Sequence, residues 1–194
     1  MTSTKHPLPL LIFFLLLAAG GVFIGLLFGS VDIPVSGIIR ALLSPSDDTT
    51  TQIVWQLRLP RVLAAFACGG LLALAGALLQ VLLRNPLADP YILGVSGGAA
   101  VGALTAMLLG WGLVLANLTS LAGALAAMSI VFGLSFRAGD WNLYRLLLTG
   151  VVLSAGCSAL IALILSLAPA GEVKGMLFWL MGDVARADVE GLWS

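Results

Sequence analysis

Long apolar runs separated by short polar segments dominate the sequence. A helix needs about 20 apolar residues to cross the ~30 Å hydrocarbon core of a bilayer. Lipid offers no hydrogen-bond partners to backbone groups, so an apolar run of this length favours a helix, which pairs those groups internally. The pattern therefore predicts five membrane-spanning helices, at residues 8–29, 60–83, 92–112, 113–136 and 143–167.

The predicted link between the first two spans, residues 30–57, is polar. It contains Pro34, Pro45 and an acidic patch. Such a composition indicates an aqueous external loop, and its apolar spacing predicts a short surface helix near Val35–Leu43.

Residues 175–182, after the fifth predicted span, are apolar but too few to cross a bilayer. They predict a short interfacial helix with Trp179 at headgroup depth. A sixth span is expected to start in the remaining residues. The predicted fold class is thus an all-α membrane protein, a polytopic helix bundle in one transmembrane domain over residues 1–194.

A secretory signal peptide is the alternative for the first apolar run, since Lys5 and His6 form a weak basic head. The run is longer than the roughly 7–15 residues of a signal-peptide core. We therefore expect it to be a retained span.

The composition agrees with a chain solvated by lipid. Sixty per cent of the residues are hydrophobic, 9% are charged and the mean hydropathy is +1.12, which leaves too few polar side chains to cover a water-facing surface. Nine basic and nine acidic side chains cancel, so the net charge gives no reason to expect nucleic-acid binding. Cys68 and Cys157 lie inside apolar runs and the only histidine, His6, lies outside them, so we predict no metal site and no catalytic residues.

The distribution of basic residues orients the bundle only weakly. A cytoplasmic N-terminus leaves four basic residues inside and five outside. Those inside are Lys5, Arg84, Arg137 and Arg145, and those outside are Arg40, Arg58, Arg61, Lys174 and Arg186. The positive-inside rule thus gives nearly balanced counts. A functional reason for an arginine pair on the outer face would restore the usual bias.

Two arginines, Arg58 and Arg61, stand at the head of the predicted second span. Pro60 suits the first turn of a helix, where its missing N–H costs nothing. Residues three positions apart share a helix face, so we expect both guanidinium groups to project the same way. Ordinary snorkelling to the membrane interface is the alternative interpretation.

Small residues recur every four positions in three of the predicted spans. One series is Gly21, Gly25 and Gly29, a second begins at Gly69, and a third is Gly94, Gly98 and Gly102. This spacing lets helix backbones approach closely in lipid. The glycine-rich segment lacks the lysine of a phosphate-binding loop, so helix packing is the better interpretation.

A polar turn, NPLADP, separates the second and third predicted spans. Pro86 and Pro90 disfavour helical backbone at the residues before them, so the helix is expected to stop here. The side chains of Asn85 and Asp89 can tie the turn or cap the next helix through local backbone hydrogen bonds.

The arginine pair, the NPLADP turn and the following GVSGGAAVGA segment resemble the FecCD/BtuC family of permease subunits of type II ABC importers. This family moves ferric siderophores, haem or cobalamin. The resemblance implies ten spans in two halves of opposed orientation, of which this chain corresponds to a little over half.

The resemblance also implies partners and location. A homodimer of permease subunits would lie in the bacterial plasma membrane as a multi-pass protein with cytoplasmic N-termini. Two cytoplasmic ATPase subunits would hydrolyse the ATP, and an extracytoplasmic binding protein would deliver the substrate. The permease itself is then not an enzyme and carries no cofactor.

Individual roles follow from the same resemblance. The family's counterparts of Arg58 and Arg61 contact acidic residues of the binding protein. Leu143 and Tyr144 fall at the positions of the cytoplasmic gate of the pathway, where the cobalamin relative has two small hydroxyl residues. This departure implies a bulkier, more hydrophobic gate, and an interfacial tyrosine at a helix start is the alternative.

Two other functions stay open from the sequence. Ion-coupled transporters and channels typically place charged residues within the membrane, whereas the acidic residues here fall in predicted loops, interfaces or the tail. A truncated, non-transporting fragment is the other alternative. The sequence does not distinguish siderophore, haem and cobalamin as substrates.

Overall fold

The computed structural model describes residues 7–137, 140–182 and 184, and these are almost entirely helical. In chain order the helices are α1 (Pro7–Leu27), α2 (Val35–Leu43), α3 (Thr49–Gln52), a π-helical segment (Ile53–Arg58), α4 (Leu59–Leu83), a 3-10 turn (Pro90–Leu93), α5 (Val95–Leu108), α6 (Leu113–Ser135), α7 (Leu143–Leu167) and α8 (Ala170–Met181). Two-residue strands, β1 (Phe136–Arg137) and β2 (Asp140–Trp141), pair antiparallel between α6 and α7. The predicted all-α polytopic bundle is confirmed.

Four helices in the described residues are long and apolar enough to cross a membrane, and they cover Leu8–Leu27, Thr49–Leu83, Leu113–Ser135 and Leu143–Leu167. Most of their large apolar side chains are exposed within the chain. Such surfaces suit contact with lipid or with further membrane helices.

The expected third span, 92–112, is shorter than predicted. Its helix, α5, has 14 residues, which give about 21 Å of length at 1.5 Å per residue. The NPLADP turn delays its start, because residues 90–93 form a 3-10 turn before Gly94 turns the chain at a φ of 74°. Its end is fixed by Gly110, whose φ is 70°.

The expected loop 30–57 is also shorter. It does contain α2 over the predicted residues, but helical structure resumes at Thr49 and continues without a break to Leu83. The Asp48 carboxylate accepts a hydrogen bond from the backbone N–H of Thr51 at 2.9 Å and so caps the new helix. An N-cap of this kind satisfies a backbone donor that the helix leaves free.

The expected interfacial helix, 175–182, begins five residues earlier than predicted and forms the 12-residue α8. Pro169 precedes it, where a proline costs no helical hydrogen bond. Met176 of α8 is fully buried together with Ala103 and Leu104 of α5. The predicted start of a sixth span lies outside the described residues.

The chain divides into two compact units. In the first, comprising described residues 7–71 and 184, the core joins the end of α1, α2 and the π-helical segment through Leu26, Ile38, Ala41 and Val54. The second, residues 72–182, contains the rest of α4 and helices α5 to α8. Its two buried clusters lie where α4, α6 and α7 meet and where α5 meets α8.

Candidate functional site at the head of α4

The helix that starts at Thr49 changes its winding before it reaches the two arginines. Residues Ile53–Arg58 are π-helical, and the N–H of Leu59 bonds the carbonyl of Val54, five residues back. A π-turn is rare and occurs frequently at functional sites. Here it ends on Arg58, at the point where the ordinary α-helix resumes.

The Arg58 side chain is buried, with 7% of its surface exposed. Its Nη1 donates hydrogen bonds to the carbonyl oxygens of Leu26 at 2.7 Å and Leu27 at 2.9 Å, and its Nη2 donates to that of Val31. Leu26 and Leu27 are the last two residues of α1. Carbonyls in the last turn of a helix have no partner within it, and they lie at the negative end of the helix dipole, where a cation is favoured.

Arg61 lies one turn further along and is exposed. The free carbonyls at the end of α1 draw the Arg58 guanidinium into the protein. A buried guanidinium that already donates to three carbonyls is not available to a partner's carboxylate. The hypothesis of direct docking is left with Arg61.

Gly29 and Trp55 complete this arrangement, and the sequence singled out only Gly29, as a small residue for helix packing. A Cβ atom added to Gly29 would lie 2.9 Å from Nη2 of Arg58, so a larger residue would make the guanidinium shift. Trp55, in the π-helical segment, donates its Nε1–H to the carbonyl of Ala41 at 2.9 Å. The four-residue spacing of Gly21, Gly25 and Gly29 indicates close helix packing but not a contact with Arg58, and no periodicity indicates the contact of Trp55.

The two residues expected at the gate have different environments. Both stand at the start of α7, where the Asn142 side chain accepts hydrogen bonds from the backbone N–H groups of Tyr144 and Arg145. Leu143 is half-buried against the cluster around Leu83 and Leu146, whereas Tyr144 is 85% exposed. Of the two side chains, that of Tyr144 is the more exposed.

The turn residues make local hydrogen bonds. Asn85 accepts from the N–H of Leu87 at 3.0 Å, and Asp89 accepts from that of Tyr91 at 2.8 Å, which caps the 3-10 turn begun by Pro90. Pro86 lies exposed between them. These contacts give the NPLADP segment a structural part in ending α4 and starting α5.

The glycines expected in helix packing are placed unequally. An added Cβ on Gly98 would lie 2.5 Å from the carbonyl oxygen of Gly123 in α6, and one on Gly102 would overlap the backbone of Thr119. Gly94 has a left-handed backbone beside Ser154 of α7. Gly69, by contrast, has no atom within 4 Å of an added Cβ among the described residues.

A separate apolar cavity of about 510 Å³ lies in the second unit. Its lining comes from α4, the 3-10 turn, α5 and α6, and it includes Leu72, Leu79, Tyr91, Ser96, Met128 and Phe132. Its walls offer almost no polar groups, so they could orient a polar substrate only poorly. Among the described residues, no group of three or more His, Cys, Asp or Glu side chains is placed to hold a metal ion.

Comparison with known proteins identifies the fold and the family. The profile of the FecCD transport family matches residues 13–194. The chain belongs to the FecCD transport family.

Individual relatives of this FecCD member are also permease proteins. The chain is 40% identical over 157 residues to the vitamin B12 import system permease protein BtuC of Escherichia coli, covering 78% of this chain and 48% of that protein. BtuC of Klebsiella pneumoniae is 40% identical over 141 residues, covering 72% and 43% respectively. The chain spans about half the length of these curated relatives.

A solved structure gives the same answer for the fold. It shows the inward-facing conformation of an ABC transporter assigned to the metal-chelate type, and it matches with a TM-score of 0.81 at 32% sequence identity. The match covers 97% of this chain and 57% of the solved one. The helix arrangement described above is therefore that of a membrane permease of this family.

Proposed function

We propose that this chain forms the transmembrane permease of an ATP-driven importer. The observation that carries the proposal is the family match over residues 13–194, supported by helices long enough to cross a membrane. The permease provides a pathway through the membrane, and the energy comes from ATP hydrolysed by partner subunits.

The proposed assembly has a second copy of the permease, two cytoplasmic ATPase subunits and an extracytoplasmic binding protein, in a bacterial plasma membrane. The N-terminus is cytoplasmic, so the head of α4 faces the binding protein. Arg61 is then the candidate contact for a carboxylate of that protein, because guanidinium groups pair well with carboxylates. Tyr144, whose side chain is exposed at the start of α7, is the candidate pathway residue.

The proposed substrate is a large metal chelate, namely cobalamin, haem or a ferric siderophore. The two named relatives import vitamin B12 and the solved relative is of the metal-chelate type. Cobalamin, itself a cobalt chelate, satisfies both descriptions and is the first substrate to test.

The test is uptake into proteoliposomes that contain the permease together with its cognate ATPase subunits and binding protein. We expect accumulation of labelled cobalamin, haem or a ferric siderophore that requires ATP and the binding protein. A vesicle series without the ATPase subunits is the control. Uptake that persists in this control, driven by an ion gradient, would instead show a secondary transporter.

A further inference from the structure

The last carbonyl groups of α1 and α2 have no hydrogen-bond donor within their own helices. One short segment supplies side-chain donors to both helix ends. The carbonyls of Leu26 and Leu27, at the end of α1, accept from Arg58. The carbonyl of Ala41, in the last turn of α2, accepts from Trp55. Both donors belong to the π-helical segment Ile53–Arg58.

The π-turn brings the two donors to two different helices. Trp55 and Arg58 are three positions apart, which on a regular helix places side chains on one face. Here one side chain reaches α2 and the other reaches α1 and the loop residue Val31. The wider winding of a π-turn alters the direction of the side chains that follow it.

The contacts of Arg58 are stronger than ordinary capping. Its hydrogen bonds are charge-assisted and buried, and the loss of such a donor leaves buried acceptors unsatisfied. Gly29 is the residue that admits it, since a Cβ there would meet Nη2, Cζ and Nε of Arg58 at about 3 Å. Gly25 of α1 also lies close to α4, since a Cβ added there would lie 2.9 Å from Cγ2 of Val62.

We propose that Gly29, Trp55 and Arg58 form a clasp that fixes α2 and the loop before it on the head of α4. Arg58 is a positioning residue: it sets the surface around Arg61 without contacting the binding protein. The effect on the binding protein rests on the proposed function. The contacts of the clasp lie within this chain and do not depend on that function.

The first experiment measures hydrogen exchange of the α2 amides in the 194-residue chain, held in lipid nanodiscs. A nine-residue helix is not stable by itself in water, so protection of its amides reports its docking. We expect Arg58→Lys to speed exchange across Val35–Leu43 by about tenfold or more, because an ammonium cannot serve the three carbonyls that the guanidinium fork serves.

Gly29→Ala is the second variant, and it keeps both arginines while displacing the guanidinium. It should reproduce the faster exchange of Arg58→Lys, with exchange in α6 as the internal control for folding. Arg84→Lys, the same change at an exposed arginine of the second unit, is the matched control and should leave α2 exchange unchanged. Wild-type exchange in both Arg58→Lys and Gly29→Ala, with α6 intact, would overturn the clasp.

The second experiment measures the affinity of the binding protein at several salt concentrations. Removing a charge that contacts the partner makes the affinity less dependent on salt concentration. Displacing the binding surface lowers the affinity but leaves its dependence on salt unchanged. We expect Arg61→Ala to lower the salt dependence. Arg58→Lys and Gly29→Ala should lower the affinity about tenfold or more. Because positions 58 and 61 stay charged in both variants, the salt dependence of the affinity should not change.

The two experiments fail in different ways. If no binding protein binds the wild-type chain, the proposed function fails and hydrogen exchange still decides the clasp. If Arg58→Ala lowers the salt dependence as much as Arg61→Ala does, Arg58 is a contact residue and the positioning role is wrong. Normal affinity in a variant whose α2 exchanges fast would also overturn that role.

Discussion

Gly98 of α5 and Gly123 of α6 meet backbone to backbone. A Cβ on Gly98 would lie 2.5 Å from the carbonyl oxygen of Gly123 and 2.6 Å from the Cβ of Ala127, and a Cβ on Gly123 would overlap the carbonyl of Gly98. The two helices can keep this separation only with hydrogen at both positions.

Gly98→Ala should therefore destabilise the second unit. Backbone atoms cannot move aside as a flexible side chain can, so we expect a loss of about 1–3 kcal/mol in the free energy of unfolding, as for overpacked cores. Gly133→Ala in α6 is the control, because nothing lies within 4 Å of its added Cβ. Thermal unfolding in detergent should give a lower Tm for the first variant and an equal or higher one for the second.

Arg84→Gly should stabilise the end of α4. Arg84 has a φ of 48°, and the N–H groups of Arg84 and Asn85 bond the carbonyls of Val81 and Gln80, the pattern of a Schellman cap. A left-handed backbone costs a non-glycine residue roughly 1–2 kcal/mol, offset in part by the greater chain entropy of glycine, so the expected gain is about 0.5–1 kcal/mol.

The end of α5 offers the reverse experiment to Arg84→Gly. Gly110 has a φ of 70° and takes the equivalent place in a second cap, in which Trp111 bonds the carbonyl of Ala106. Gly110→Ala should lower the Tm in the same assay. A lower Tm for Arg84→Gly would show that the arginine side chain stabilises the fold by more than its left-handed backbone costs.

Acidification should weaken the start of α3 through Asp48. Hydrogen bonds from Thr51, first from its side chain and then from its backbone N–H, lower the pKa of the Asp48 carboxyl below its ordinary value. Because the folded pKa is the lower one, the contribution of this cap is complete above the unfolded pKa and is lost as the pH falls through the folded pKa.

The backbone amide resonance of Thr51 measures this titration directly. It should shift with a midpoint below that of an ordinary aspartate. Asp48→Asn should abolish the shift and retain the cap, since asparagine is also a good N-cap residue. A midpoint at or above the ordinary value would contradict the hydrogen-bond assignment.

Leu143 and Tyr144 should respond differently to truncation. Leu143→Ala removes a half-buried side chain from the cluster around Leu146 and should cost about 1–3 kcal/mol in stability. Tyr144→Ala removes an exposed side chain and should change stability by less than about 0.5 kcal/mol. If Tyr144 lines the pathway, only its variant should alter the substrate leak of the assembled importer without ATP, measured in proteoliposomes.

The sequence predicted the fold class and most helix positions because bilayer thickness sets the length of an apolar run. It also placed α2 at Val35–Leu43, where the apolar spacing is regular. It failed where hydrogen bonds decide a boundary. The Asp48 cap starts a helix inside the expected loop, and the turn at Asp89 and Gly94 shortens α5.

The candidate site was predicted less well than the fold. Spacing alone placed Arg58 and Arg61 on one face, and tertiary contacts bury Arg58 whereas Arg61 is exposed. The carbonyls that bind Arg58 lie 27 to 32 residues away along the chain, so no local rule could find them. The four-residue spacing of glycines singled out Gly29 for packing only, and nothing singled out Trp55, because the contacts of both residues form between helices that meet only after folding.

The shortness of α5 has a consequence for how this permease is solvated. Its ~21 Å cannot match a ~30 Å hydrocarbon layer, and non-helical backbone at membrane depth is tolerated only inside protein or beside water. Five of its residues, Gly98, Ala100, Ala103, Leu104 and Ala106, are buried. The neighbouring helices thus take the place of lipid around α5, and its apolar side chains serve as contacts between helices instead of as a membrane anchor.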